Sequence, residues 1–229
     1  MIQLQVVQGP YVVSDDVRRP VPTGAERLIV LLALRGQIRR KRAAGLLWPD
    51  AEPQRRAGNL RSAVWRLRAV PLELVCEAGD ALSIRSDVPV DVQVLHETAD
   101  DAVVDLPGSG GSLSLPFLTA ATNLLPGWYD DWLAADRERI RAAALDALDR
   151  RSHRLSRSGC WAEAIDTALV AVTCEPLRES SQIALLRAHL AEGNLVEARR
   201  AYRAYRAQLG IEVGLAPSAE LVRMVTAVG

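Results

Sequence analysis

The sequence predicts a mainly α-helical protein with small β elements: an N-terminal three-helix unit carrying a hairpin, followed by an all-α domain of tetratricopeptide-like helical repeats. Three observations predict it. An apolar segment, a short basic segment and an Arg-rich amphipathic segment follow one another between Gly24 and Arg68. Two short alternating stretches come directly after them. A six-residue pattern in the second half returns at an interval of 34 residues.

The elements read in order as follows. Ile2 to Val7 and Tyr11 to Val13, separated by Gly9-Pro10, predict an antiparallel N-terminal sheet. Gly24 to Leu34, with Leu28, Ile29, Leu31, Leu32 and Leu34, predicts a buried first helix. Arg39 to Leu47 predicts a second that stops at Trp48-Pro49-Asp50, and Pro53 stands where a third can start. In that third helix a 100° step gathers Ala57, Leu60, Ala63, Val64 and Leu67 on a core face. Pro71 to Cys76 and Ala81 to Arg85 alternate like two strands, joined through Glu77-Ala78-Gly79-Asp80. Three helices and a hairpin make a winged helix.

The outward face of the third helix points to a ligand class. It presents Arg55, Gly58, Asn59, Ser62, Trp65 and Arg66, with Arg61 and Arg68 on its flanks, and no acid. Arg bonds guanine and Asn bonds adenine in bidentate fashion in a major groove, whereas flanking Arg meets phosphates and fixes the register. From Gly24 to Val70 eleven basic residues oppose three acidic ones, a local excess of eight in a chain of zero formal net charge. Such asymmetry points to a polyanion. The plainer reading of a basic helix face is a solvated surface, and the scaffold around this one weighs against it. Arg55, Asn59, Ser62 and Arg66 are therefore expected to enter the groove of double-stranded DNA, and Arg61, Arg68 and the wing residue Arg85 to hold phosphates.

In the second half, Gly159-Cys160-Trp161-Ala162-Glu163-Ala164 returns as Gly193-Asn194-Leu195-Val196-Glu197-Ala198. That is the tetratricopeptide period. Each unit is expected to be two antiparallel helices, brought close by Ala164, Ala168, Ala171, Ala198, Ala201 and Ala204. Tyr202 and Tyr205 are expected to line the concave side, and Trp128, Tyr129 and Trp132 to anchor packing. The expected domains are 1–92 for the winged helix, 93–123 for a connecting segment and 124–229 for the repeats. A short helix is expected over His96 to Asp101, and Asp105 to Ser112 reads as flexible.

Other classes find little support. The longest apolar run, Leu28 to Leu34, is far short of the ~20 residues of a membrane span. The N-terminus shows no secretory signal pattern, so a cytoplasmic location is expected. Cys76, Cys160 and Cys174 lack Cys-x-x-Cys spacing and are expected to be reduced core thiols. His96, His153 and His189 lack metal-ligand spacing, and Gly108 to Gly111 lacks the Gly-Lys-Ser/Thr of a phosphate-binding loop. No metal, no cofactor and no enzymatic activity are expected.

The sheet-first winged helix, with Leu60-Arg61 and Trp65-Arg66-Leu67-Arg68 in its third helix, resembles the OmpR-type effector domain of the Streptomyces antibiotic regulatory protein (SARP) family. Leu124-Leu125-Pro126-Gly127-Trp128-Tyr129-Asp130-Asp131-Trp132, Arg137-Glu138-Arg139, Glu175 to Ser180 and His189 to Asn194 resemble the bacterial transcriptional activator domain that follows it there. The resemblance implies a transcriptional activator, serving a secondary-metabolite cluster or a related developmental function. It implies two protomers on promoter direct repeats and an RNA polymerase contact through the connection from Trp48 to Arg56, with Trp48, Asp50 and Glu52 as its anchor and acids. It also implies that Asp130, Asp131, Asp136 and Glu138 cap and solvate a long helix rather than form a catalytic set. Two rivals remain at this level: an adaptor whose repeats bind a protein, and a regulator with a small-molecule site in its helical domain.

Overall fold

The computed structural model describes residues 2–68, 73–97 and 114–226. The backbone divides into two compact units, Met1–Arg141 and Ala142–Gly229.

The first unit opens with strands β1 (Ile2–Gln5), β2 (Tyr11–Ser14) and β3 (Val17–Pro20), an antiparallel sheet in sequence order. The third strand was not among the expected elements. Every residue of Val17-Arg18-Arg19-Pro20 is exposed, so it carries no alternation, and its proline suits an edge. The signal lay in the turn: Asp15 and Asp16 both have positive φ, 52° and 62°, as a two-residue hairpin of the primed type requires. Arg18 then lays its guanidinium over the Tyr11 ring, 3.8 Å from its centre.

Helix α1 (Glu26–Arg35) is buried at every position from Leu28 to Leu34. An all-round apolar helix must be covered on all sides. Its cover comes from α2 (Arg40–Leu47), α3 (Pro53–Arg68), α4 (Asp91–Glu97) and strand β6 (Ala81–Ile84). β6 pairs with both β4 (Ile38–Arg39) and β5 (Val75–Ala78), giving the order β4-β6-β5. The wing therefore begins at Val75 and turns through Gly79-Asp80, later than expected; Pro71 and Leu72 lie outside the described residues. On α3 the core residues are Leu60, Ala63, Val64 and Leu67, whereas Ala57 is exposed, because the first turn of α3 reaches past the α1 core.

α4 starts at Asp91, earlier than the expected helix over His96 to Asp101, whose last residues lie outside the described ones. The expected flexible segment Asp105 to Ser112 also lies outside them. Beyond it, α5 (Leu115–Ala121) is capped by the Ser114 side chain, and a 3-10 turn (Asp131–Leu133) leads into α6 (Ala134–Arg157).

The second unit contains α7 (Trp161–Cys174), α8 (Glu179–Glu192), α9 (Leu195–Glu212) and α10 (Ala219–Thr226), each packed on the next. The 34-residue period is a structural one. Gly159 and Gly193 both adopt the left-handed conformation, with φ of 80° and 84°. The next residue in each case closes the preceding helix: Cys160 N–H donates to Leu155 O at 3.0 Å, and Asn194 N–H to His189 O at 2.8 Å. Ala164, Ala168, Ala171 and Ala198 are buried as expected, but Ala204 is exposed. Tyr205 also departs from expectation: it lies in the core with Leu186, Leu209 and Leu221, not on a surface. Its hydroxyl donates to Glu179 at 3.2 Å, and burial together with that carboxylate pushes its pKa up to about 12. Glu179 also accepts from Ser218 N–H at 3.1 Å, so one carboxylate ties α9 and the entry to α10 to the start of α8.

The cysteines correct another expectation. Cys76 and Cys160 are exposed and Cys174 is half-buried, since Cys76 points off the open face of the wing and Cys160 sits in the turn before α7.

The buried carboxylate of Asp91 joins β1 to α4. It accepts from Val6 N–H at 2.9 Å and Val7 N–H at 3.1 Å. Burial nevertheless raises its pKa from the ordinary 3.8 to about 6, outweighing those bonds. The native state thus holds the proton more tightly than the unfolded chain, and the linked stability is present at low pH and lost as pH rises through about 6. Unfolding free energy of the wild type relative to Asp91→Asn should therefore grow as pH falls from 7 to 4, by roughly 2–3 kcal/mol at most. Urea titrations across that range check it; parallel pH profiles for the two proteins would refute it.

Candidate nucleic-acid interface

Pro53 occupies the first position of α3, where its missing N–H costs nothing and its fixed φ suits a helix. Burial of Leu60, Ala63, Val64 and Leu67 against α1 then sets which residues face out. Arg55, Arg61, Ser62, Trp65, Arg66 and Arg68 are exposed, Trp65 at 69%, and Asn59 is half-buried. All expected reading residues thus share one helix, with no acid among its residues.

Their side chains are not equally disposed. Arg55 and Arg61 make no hydrogen bond or ion pair among the described residues and carry their charges outward. Ser62 Oγ donates to Gly58 O at 3.1 Å, which spends its proton and leaves it an acceptor. Arg66 turns toward the start of α1, where its Nη1 would lie 2.0 Å from a Cβ on Gly24. Asn59 shares that flank of the helix, while Arg68 on the opposite flank pairs with Glu77 of the wing at 2.6 Å. Glu77 also binds Arg40 of α2, so one wing carboxylate restrains two cations. Arg85 is paired in bidentate fashion with Asp87 and donates to Glu73 O at 3.2 Å. That pairing raises the Arg85 pKa and lowers that of Asp87, each through their shared hydrogen bond first.

Two positions here were not expected. Arg56 follows Arg55 in sequence but turns back, donating from Nε to Ala51 O at 2.6 Å and from Nη2 to Pro49 O. It clamps the connection between α2 and α3, on which Asp50 and Glu52 are exposed and Trp48 is half-buried. The doublet Arg55-Arg56 gives no sign of which arginine turns inward. Gly24 is the other: its φ of 83° and the approach of Arg66 explain a glycine at the entry to α1.

Residues 116–228 match the bacterial transcriptional activator domain. The whole chain is similar in fold to Mycobacterium tuberculosis EmbR, solved in complex with a low-affinity phosphopeptide, at a TM-score of 0.66 and 17% sequence identity. The similarity covers 99% of this chain and 64% of that one, so this chain spans less than two thirds of its length. The activator-domain match takes in just under half of the chain, and the likeness to EmbR is one of fold. Among curated proteins none matches this chain in sequence. The shared arrangement is a winged helix followed by a helical domain, and both parts are described above. No helix among the described residues is long and apolar enough to cross a membrane. Nor do the described residues gather three metal-type ligands.

Gly24 offers a direct check on the Arg66 flank. Gly24→Ala forces an L side chain into a positive φ and should cost about 1–3 kcal/mol of stability. Arg66 yields through its flexible end, so Gly24→Ala with Arg66→Ala should be additive within about 0.5 kcal/mol by denaturant titration. Strong coupling would mean that Arg66 is a rigid part of the fold.

Proposed function

We propose that this chain is a SARP-type transcriptional activator that binds double-stranded promoter DNA in a sequence-specific way through α3, as a homodimer on direct repeats, and recruits RNA polymerase to a secondary-metabolite gene cluster. The observation that supports the reading best is the acid-free outward face of α3, carrying Arg55, Ser62 and Trp65 at its centre and Asn59, Arg66, Arg61 and Arg68 toward its edges. In this reading residues 1–92 bind DNA in the cytoplasm, 93–123 connect, and 124–229 support pairing of two protomers. Pairing multiplies modest single-site affinity through effective concentration.

Within it the arginines divide by their present partners. Arg55 and Arg61 meet DNA at no internal cost, while Arg68 and Arg85 must first leave Glu77 and Asp87. Exposed pairs of this kind are weak in water, so phosphates can compete for them. Arg66 reads a base by swinging off Gly24, and Asn59 reaches one from the same flank.

The deciding experiment is a gel-shift titration on a footprinted operator and on random DNA at several salt concentrations. Affinity should fall linearly on log–log axes by about 0.9 per phosphate contact. Asn59→Ala or Arg66→Ala should cost about 1–3 kcal/mol and relax preference at one position, while Arg61→Ala weakens all sequences alike. A flat salt response, or operator preference untouched by the Asn59 and Arg66 changes, would contradict the assignment.

Activation is assigned to the connection between α2 and α3. Pro49 and Pro53 remove two backbone donors, and the Arg56 clamp holds Trp48, Asp50 and Glu52 as a formed surface. Asp50→Ala with Glu52→Ala should leave operator affinity within about threefold, under ~0.7 kcal/mol, and sharply lower transcription from the same promoter in vitro. Equal losses in both assays would assign the loop to folding or DNA contact instead.

A further inference from the structure

Within the first unit, three separated stretches wall an open cleft of about 650 Å³: the start of α1, Trp48 at the end of α2, and Gly127–Asp130. Trp48 and Trp128 are half-buried along it, and Tyr129 stands at 91% exposure. This corrects the expectation that the whole aromatic group anchors packing: only Trp132 is buried, and Tyr129 faces water. The segment that carries it is nevertheless fixed. Arg137 donates to Leu124 O, Leu125 O and Trp128 O at 2.7–2.8 Å, and the buried Leu125 is held at a φ of 50°. Ring faces presented on such a turn are ordered before any partner arrives.

The charges of the cleft are mixed, with Arg27 among its lining residues and Arg66 lying against Gly24 at its edge, and its carboxylates are the groups that a cation can use. Glu26 and Asp130 line it, and Asp50, Glu52 and Asp131 are exposed beside Trp48 and Asp130 in sequence. Of the nearby cations, Arg56 spends its guanidinium on the carbonyls of Pro49 and Ala51. Arg27 rests on Asp130 at 3.2 Å, so the cleft already holds one guanidinium against a carboxylate. Aromatic faces combined with carboxylates recognise a cationic side chain through cation–π attraction and charge-assisted hydrogen bonds. The wide mouth suits a protein segment better than a free small molecule, which a pocket normally encloses over most of its surface.

We propose that this cleft seats an arginine or lysine side chain from a basic segment of RNA polymerase, with Tyr129 and Trp128 as its aromatic wall. The proposal rests on the reading that the neighbouring loop of Trp48, Asp50 and Glu52 is the activating surface, and extends that surface to a stretch distant in sequence. It also explains an aromatic ring left in water on a rigid turn.

The test pairs transcription with cross-linking, using the full chain, its operator and RNA polymerase holoenzyme. Tyr129 is exposed enough to be replaced without loss of fold. Tyr129→Lys should lower activated transcription at least about fivefold and leave operator affinity within about twofold, while Tyr129→Phe, which keeps the ring face, should stay within about twofold of wild type. Tyr129→p-benzoyl-phenylalanine should cross-link, on illumination, to a polymerase peptide containing Arg or Lys. Normal transcription by Tyr129→Lys overturns the proposal, and if the Asp50 and Glu52 variant is defective in the same assay, the loop reading stands without it. Defective Tyr129→Lys with a basic polymerase cross-link, beside a fully active Asp50 and Glu52 variant, supports the cleft and removes the loop. A parallel loss of operator affinity, failure of Tyr129→Phe to retain activity, or a cross-link to an acidic peptide or to a second copy of this chain would each overturn it.

Discussion

Helix α1 presents apolar side chains in every direction from Leu28 to Leu34, and water has to be kept from all of them. Burying each leucine or isoleucine contributes about 1.5–3 kcal/mol, so the helix acts as a post on which α2, α3, α4 and β6 must close. The orientation of α3 follows from this. Leu60, Ala63, Val64 and Leu67 are taken by the post, and whatever remains on the other side is shown to the solvent. A reading face on α3 is therefore a by-product of core packing, held as firmly as the core itself. The same constraint explains how a short domain can present so many like charges. Repulsion among the arginines is offset by apolar burial on the opposite side of the helix.

Electrostatics refines that arrangement. The local excess of basic residues is partly neutralised from within, by Glu77 against Arg40 and Arg68 and by Asp87 against Arg85. These acids belong to the wing or to the residues after it. They hold long side chains in place near the expected phosphate path, which lowers the disorder that has to be lost on binding. Asp50 and Glu52, which have no such partner among the described residues, lie instead on the loop before α3. Positive and negative surfaces are thus segregated within one short stretch of chain, an arrangement suited to contacting two different partners at once.

Much of this was legible in the sequence because it rests on periodicity. The α1 core run, the α3 core face after Leu60 and the 34-residue return all express burial, which repeats with the helix turn. What escaped notice depends on features that do not repeat. β3 is an edge strand without an apolar side, marked only by Asp15-Asp16. Tyr205 and Tyr202 share a spacing, yet one is core and the other half-buried, because Glu179 captures one hydroxyl. Among the arginines, charge is visible in sequence but direction is not: Arg55 faces out, Arg56 clamps a loop and Arg66 lies on Gly24. The cysteines misled because an apolar residue type was read as core where a wing face and a helix cap left it in water. The aromatic cleft was out of reach entirely, since its walls come from stretches about eighty residues apart.

The repeated closure before α7 and α9 bears on how such a chain can change its length. Each turn ends a helix by the same backbone bond and starts the next, so the junction is indifferent to what lies further along. Arrays whose members touch only their neighbours gain or lose stability one interface at a time. A helical pair can therefore be duplicated or removed at Gly159 or Gly193 as a block of 34 residues, with each seam rebuilt by a residue already suited to it. Insertions of other sizes would misalign Ala164 or Ala198 with the helix it packs on. The second unit is in this sense quantised, and the natural step for lengthening it is one pair of helices.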